Sequence, residues 1–212
     1  KNYFFFFTIK GTRIFNQLTG NFTPVANNNH QGYFDIVSNS KPNMLIGYYN
    51  LAVFDKDRLR YEKNIPLPLA NVSRMISDKQ GNFFLSQLEH LIFISGKIKQ
   101  NVINYRISAL LIDKNEDLWA GTWRNGLFRI RYSFTNNQLA IIAINHFLPS
   151  ENIRSLFEDS KGNIWAGTRY QGVYQITKKA KDSFAIINFD QKKGLTSNFV
   201  KGIREDANGN YW

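Results

Sequence analysis

The sequence predicts an all-β fold, a β-propeller of four-stranded antiparallel blades, and three observations carry that prediction. A segment of 24 residues recurs at an offset of 46 with an identical Trp-Ala-Gly-Thr core. Short apolar runs rich in Phe, Tyr, Ile and Val are separated by turns of Gly, Asn and Asp. Hydrophobic residues make up 43% of the chain and aromatic residues 15%, enough apolar surface for a packed core and too much for a disordered segment.

The two best copies are residues 107 to 130, ISALLIDKNEDLWAGTWRNGLFRI, and 153 to 176, IRSLFEDSKGNIWAGTRYQGVYQI. In the second, Ile153 to Glu158 reads as a strand, Asp159-Ser-Lys-Gly162-Asn163 as a tight turn and Ile164 to Thr168 as a second strand. Gln171-Gly172 turns the chain into Val173 to Thr177, and a more variable loop leads to a fourth apolar strand, Phe184 to Phe189. Four antiparallel strands per repeat is the composition of a propeller blade.

A third copy starts at Val200 as VKGIREDANGNYW, setting Asp206 against Asp159 and Trp212 against Trp165. Upstream the copies are more degenerate: VSRMISDKQGNFFLSQ from Val72 aligns Asp78 with Asp113, and YFDIVSNSKPNMLIGYYN from Tyr33 aligns Asn39 with Asp78. Asn2-Tyr3-Phe4 aligns with Asn163-Ile164-Trp165, and Gly11 falls where Gly172 does. Residues 1–212 are therefore expected to be one propeller region, incomplete at both ends, with about five blade equivalents. Blades are expected over about 33–66, 72–104, 107–148 and 153–190, with blade remnants over 1–25 and 199–212.

Trp119, Trp165 and Trp212 share one position of the second strand, where a large ring can pack between neighbouring blades. Asp113, Asp159 and Asp206 open the hairpin turns. A calcium loop is rejected, because the twelfth position that should carry Glu holds Arg124 and Tyr170 in the two full copies. No cysteine is present, which excludes disulfides, thiolate-bound zinc and sulfur chemistry. The apolar run Tyr3 to Ile9 is far shorter than the roughly 20 residues of a membrane helix, so a membrane is reached only through a span outside this chain. A net charge of +11 favours anionic partners, yet the basic residues are scattered and no nucleic-acid motif occurs, so nucleic-acid binding is not expected. Neither a cofactor nor a metal site is expected, and no catalytic residue can be named.

Assembled from its copies, the motif [I/F]-x-D-x-x-G-N-[I/Y]-W-A-G-T-x-x-x-G-[L/V] resembles the two-component regulator propeller repeat. Its clearest carriers are Phe157-Glu-Asp-Ser-Lys-Gly-Asn-Ile-Trp-Ala-Gly-Thr168 and Gly194-Leu-Thr-Ser-Asn-Phe-Val200. The resemblance implies part of a seven-bladed ring, in a periplasmic sensor region set before a membrane span and a histidine kinase in the full protein. It also implies an oligosaccharide ligand and a homodimer. A five-bladed ring, closed by the first and last residues completing one blade together, is the alternative.

Blade geometry points to one face for the ligand. The loop after the second strand and the start of the next inner strand return to the same end of the ring. The first of these supplies Tyr48-Tyr49, Gln87 to His90, Trp123-Arg124 and Arg169-Tyr170 in successive blades. The second adds Arg74, Arg154 and Lys201. Tyr and Trp rings stack on sugars and guanidinium forks pair with carboxylate or sulfate, so Tyr48, Tyr49, Arg74, Trp123, Arg124, Arg154, Arg169, Tyr170 and Lys201 are the candidate ligand residues, favouring an acidic oligosaccharide. Two other classes stay open: a protein-interaction or dimerisation scaffold, and a propeller lyase working through His30, His90 or His146. No enzymatic activity is expected of this chain.

Overall fold

Each repeated Asp-x-x-Gly-Asn turn closes a hairpin, and the hairpins build the sheets. The computed structural model describes the backbone of residues 3–8, 11–24, 35–38, 43–47, 51–55, 60–65, 72–180 and 183–212, and the side chains of 13–22, 72–180 and 183–212. A three-stranded sheet holds β1 (Tyr3–Thr8), β2 (Gly11–Asn16) and β3 (Asn21–Pro24). The next sheet holds β4 (Asp35–Ser38), β5 (Asn43–Gly47), β6 (Leu51–Asp55) and β7 (Arg60–Ile65). Then come β8 (Val72–Ser77), β9 (Phe83–Gln87), β10 (His90–Ser95) and β11 (Ile98–Ile103). The fourth sheet is β12 (Ile107–Ile112), β13 (Leu118–Thr122), β14 (Leu127–Thr135) and β15 (Gln138–Phe147). The fifth is β16 (Ile153–Glu158), β17 (Ile164–Thr168), β18 (Val173–Lys178) and β19 (Phe184–Phe189). All are antiparallel meanders in chain order, the geometry of propeller blades. Beyond β19, Arg204 and Trp212 exchange backbone hydrogen bonds of 3.0 and 2.8 Å, which open a further hairpin around Asp206.

The first strands of successive blades are neighbours: β4 lies beside β8, β8 beside β12 and β12 beside β16. The middle strands carry the burial, with every residue of β13 and β17 enclosed, whereas the outer β15, apart from buried Leu139, alternates between exposed and half-buried positions. The core therefore lies between blades. Phe84, Leu91 and Phe93 of one blade pack with Ile107, Leu118 and Phe128 of the next, and Trp119 packs with Ile153, Ile164 and Ile176 beyond it.

Repeated Trp and Asp form one device. Asp159 Oδ1 accepts the backbone N–H of Lys161 and Asn163 at 3.0 and 2.7 Å, which holds the turn. Its Oδ2 accepts from Trp165 Nε1 at 2.8 Å, Asn163 Nδ2 at 2.8 Å and the Tyr211 hydroxyl of the following hairpin at 2.9 Å. Asp113 with Trp119 and Asp206 with Trp212 repeat the Trp bond at 2.9 and 3.2 Å. Trp119 stacks on Phe147 of its own blade, at 5.6 Å, and meets Phe184 of the next edge-on. The Trp119 and Trp165 rings are inter-blade packing, as the sequence predicts, whereas Trp212 is exposed.

Small residues let the blades close on one another. A Cβ on Gly121 would run into the Ile153 side chain, and one on Gly167 into Ser155 Oγ and Val200. Gly126 and Gly172 sit at φ of +73 and +77°, where a side chain would also strike a backbone carbonyl. The interface between the fourth and fifth sheets also holds a buried ion pair. Both Nε and Nη2 of Arg129 donate to Asp117 Oδ2, and the two side chains are only 2% and 8% exposed.

One feature is absent from the sequence reading. The inner strands β8, β12 and β16 each begin with a β-bulge, between Val72 and Arg74, Ile107 and Ala109, and Ile153 and Ser155. The extra residue is Ser73, Ser108 or Arg154. A bulge bends the strand and re-aims the side chain of that residue.

Candidate functional site

The site grows from the threonine that ends each Trp-Ala-Gly-Thr strand. Thr122 Oγ1 donates to Gly126 O at 2.9 Å and accepts from the backbone N–H of Asn125 at 2.8 Å; Thr168 makes the equivalent bonds with Gly172 and Gln171 at 2.9 Å. The loop backbone is thereby fixed while its exposed side chains are free to differ. Trp123 N then bonds Arg106 O at 3.1 Å, and Arg169 N bonds Asn152 O at 3.0 Å. These bonds tie each loop to the start of its own blade's inner strand.

This closure makes a cleft of about 360 Å³ at one end of the inner strands, lined by Ser73, Arg74, Arg106, Ile107, Ser108, Trp123, Arg154 and Lys201. The three bulge residues all face it. Ser108 is locked, its hydroxyl donating to Ile153 O at 2.6 Å and lying 3.1 Å from Gly121 O. Arg74 is also anchored: its Nε donates to Ser108 O at 2.9 Å and its Nη1 to Ser73 O at 2.7 Å.

The remaining cations are held by rings. The Arg106 guanidinium lies 4.2 Å and that of Arg154 5.1 Å from the centre of the Trp123 ring. Arg154 also lies 5.8 Å from the Phe199 ring, over which Lys201 sits at 5.4 Å. The result is an alternating ladder, Arg106–Trp123–Arg154–Phe199–Lys201, running across three repeats. Among the described residues no carboxylate lines the cleft. Among the described residues, no hydrogen bond or ion pair engages the side chains of Arg106, Arg154 or Lys201.

Of the sequence candidates, Arg74, Trp123, Arg154 and Lys201 come together here. Arg124 is exposed on the Trp123 loop but does not line the cleft. Arg169 and Tyr170 occupy the equivalent loop of the next blade, with the guanidinium 5.3 Å from the tyrosine ring, and stand outside the cleft. Tyr48 and Tyr49 lie outside the described residues, as does His30. The stretch Gln87 to His90 is no open loop: Gln87 and His90 pair across the two-residue turn Leu88-Glu89, and His90 opens β10. Arg106 is the residue that sequence reasoning missed. Its signal was available, since it precedes the apolar start of an inner strand as Phe199 precedes Val200.

Neither described histidine reaches the cleft. His90 Nδ1 lies 2.9 Å from Asn104 Oδ1, and His146 stacks on Phe128 with Nε2 2.7 Å from Asn125 O. Among the described residues no cluster of His, Asp or Glu has the makings of a metal site.

Residues 148–170, which run from the approach to β16 through β17, match the family model described as two component regulator propeller. That stretch is similar to a two-component regulator propeller repeat. Solved structures share the propeller fold around that repeat. The extracellular domain of the protein from B. thetaiotaomicron described as a hybrid two component system, BT3049, aligns with a TM-score of 0.76 at 17% identity, over 99% of this chain and 30% of its own. A second such domain from the same organism, BT4673, aligns at 0.72 and 18% identity over the same shares. Virginiamycin B lyase from Staphylococcus aureus aligns at 0.60 and 13% identity, over 84% of this chain and 61% of its own. This chain thus spans under a third of the length of the two extracellular domains. No curated protein matches its sequence. No helix among the described residues is long and apolar enough to cross a membrane.

Proposed function

We propose that this chain is part of the ligand-sensing propeller of a two-component sensor, lying in the periplasm, and that it recognises an oligosaccharide at the cleft between the β8, β12 and β16 starts. The observation that carries the reading is the convergence of unpaired cations at the one end of the blades where a fixed loop frame presents variable side chains. The regulator propeller repeat supports the sensor role, and the two B. thetaiotaomicron domains are themselves described as parts of two-component systems. Signalling would pass to a histidine kinase elsewhere in the full protein, within a homodimer. Ligand must then favour one arrangement of that dimer, because only differential affinity shifts such an equilibrium.

Calorimetric titration of the chain with a panel of neutral and acidic oligosaccharides tests this. Saturable binding that is lost on altering cleft residues is the expected result, and silence across the panel overturns it. A scaffold reading has its own observation. The outer strands β15 and β19 expose Ile142, Ile144, Ile186 and Ile187. Concentration-dependent dimerisation abolished by charged substitutions at those four positions, with no sugar bound, would favour it.

A further inference from the structure

We infer that the ladder Arg106–Trp123–Arg154–Phe199–Lys201 is a charge-reading track: its cations hold the oxyanion substituents, sulfate or carboxylate, of an oligosaccharide that carries at least two of them. Trp123 and Phe199 are positioning residues within it. The inference rests on the oligosaccharide reading above and gives that ligand its chemistry.

Two guanidiniums lie over the Trp123 ring, at 4.2 and 5.1 Å, so the indole does not serve as an open platform for a sugar face, which is the role its residue type suggests in the sequence. A cation–π contact takes up none of a guanidinium's hydrogen bonds to an acceptor, so its N–H donors stay open for one. Those donors meet no described acceptor. Arg74 makes the contrast, because its Nε and Nη1 are already committed to Ser108 O and Ser73 O. It rims the cleft, whereas Arg106 and Arg154 keep whole forks available for bidentate oxyanion binding.

Spacing supplies the second step. Like charges repel, yet Arg106 and Arg154 share one ring, and Arg154 and Lys201 share another. Three cations are thus strung along two rings, and a ligand with several oxyanions can engage more than one of them. Ser108 and Ile107 floor the cleft and the Trp123 loop walls it, which suits a single flexible chain of sugar rings.

The test is calorimetry of the whole chain with maltohexaose, hexagalacturonate, a chondroitin sulfate hexasaccharide and a single-stranded oligodeoxynucleotide. The charged sugars are expected to bind and maltohexaose is not; binding of both charged sugars shows that carboxylate suffices, and of the sulfated one alone that sulfate is required. Arg106→Ala and Arg154→Ala should each weaken binding by about tenfold or more, with Lys restoring part of it. Trp123→Ala should weaken it too, and Trp123→Phe should restore it, which a residue serving only the fold would not do while melting temperature stays constant. Should an alanine variant melt early, Arg106→Gln and Arg154→Gln repeat the comparison on a folded protein. Equal binding of maltohexaose, or charged-sugar binding untouched by either Arg variant, overturns the track while leaving the oligosaccharide reading standing. Silence toward all three sugars overturns both. Oligonucleotide binding as tight as that of the charged sugars overturns the track as a sugar site.

Discussion

At the scale of single residues, Asp159 shows why one side chain recurs at every complete turn. Burial alone would raise its pKa, but the hydrogen bonds from Trp165, Asn163 and Tyr211 outweigh that effect and hold it below the usual carboxylate value. Its folded value is therefore depressed relative to the unfolded chain. The stability it contributes is present above the unfolded value near ~4 and is lost as pH falls through the folded one. Asp206 behaves alike, drawn down to about 2 chiefly by Asn210. Asp117 and Glu158, raised mainly by burial, act in the opposite sense. Asp159→Asn should lower stability by about 1–3 kcal/mol at neutral pH, because several donors lose an anionic acceptor. Melting temperatures measured from pH 6 to pH 2 should fall less steeply for the variant than for the parent. Equal slopes would show that the carboxylate's charge is not what the turn uses.

At the scale of elements, the hairpins and blades answer to their glycines. Gly126 combines φ of +73° with the Leu148 carbonyl where a Cβ would stand, so Gly126→Ala should destabilise by roughly 2 kcal/mol or more. Gly202 has open space around the same position and no positive φ, so Gly202→Ala should stay within about 0.5 kcal/mol. Urea midpoints of the two variants make the comparison. Strands and turns were legible in the sequence because period-2 apolar runs and Asp-x-x-Gly-Asn turns are local signals, and the strand limits Ile153–Glu158, Ile164–Thr168 and Phe184–Phe189 appear in the fold as read. Other features were not local. The bulges are invisible because they arise from pairing between strands; the place of Arg106 ahead of an inner strand is readable, but its approach to Trp123 depends on the bond from Trp123 N to its carbonyl. His90 looked like a loop residue because Gln87 takes the place of the Thr that opens the loop in the later blades.

At the scale of the whole molecule, stability is shared out between neighbouring blades, since each core cluster draws on two of them. The buried Arg129–Asp117 pair lies at such a boundary, with the guanidinium over Phe184 of the next blade. Removing one partner leaves a buried charge, so Asp117→Ala should cost about 3–5 kcal/mol, while the double change Asp117→Leu with Arg129→Met should cost much less. Denaturant curves would separate the outcomes, and equal losses would mean that Arg129 matters through its packing over Phe184, 5.2 Å away, and not through its charge. A chain of carboxylates links the opposite hairpin tips in the same neighbour-to-neighbour way. Glu158 accepts from Lys114 N at 3.0 Å, and Glu205 accepts from Ser160 N at 2.6 Å.

The bulges at the heads of β8, β12 and β16 give the molecule a dial with one setting in each of those three blades. Because the extra residue is outside the strand pairing, a Ser, as at 73 and 108, or an Arg, as at 154, can occupy it without shifting the neighbouring strand or the rings packed behind it. Specificity could then be rewritten one blade at a time, by exchanging a single letter at the mouth while the architecture beneath it keeps its register.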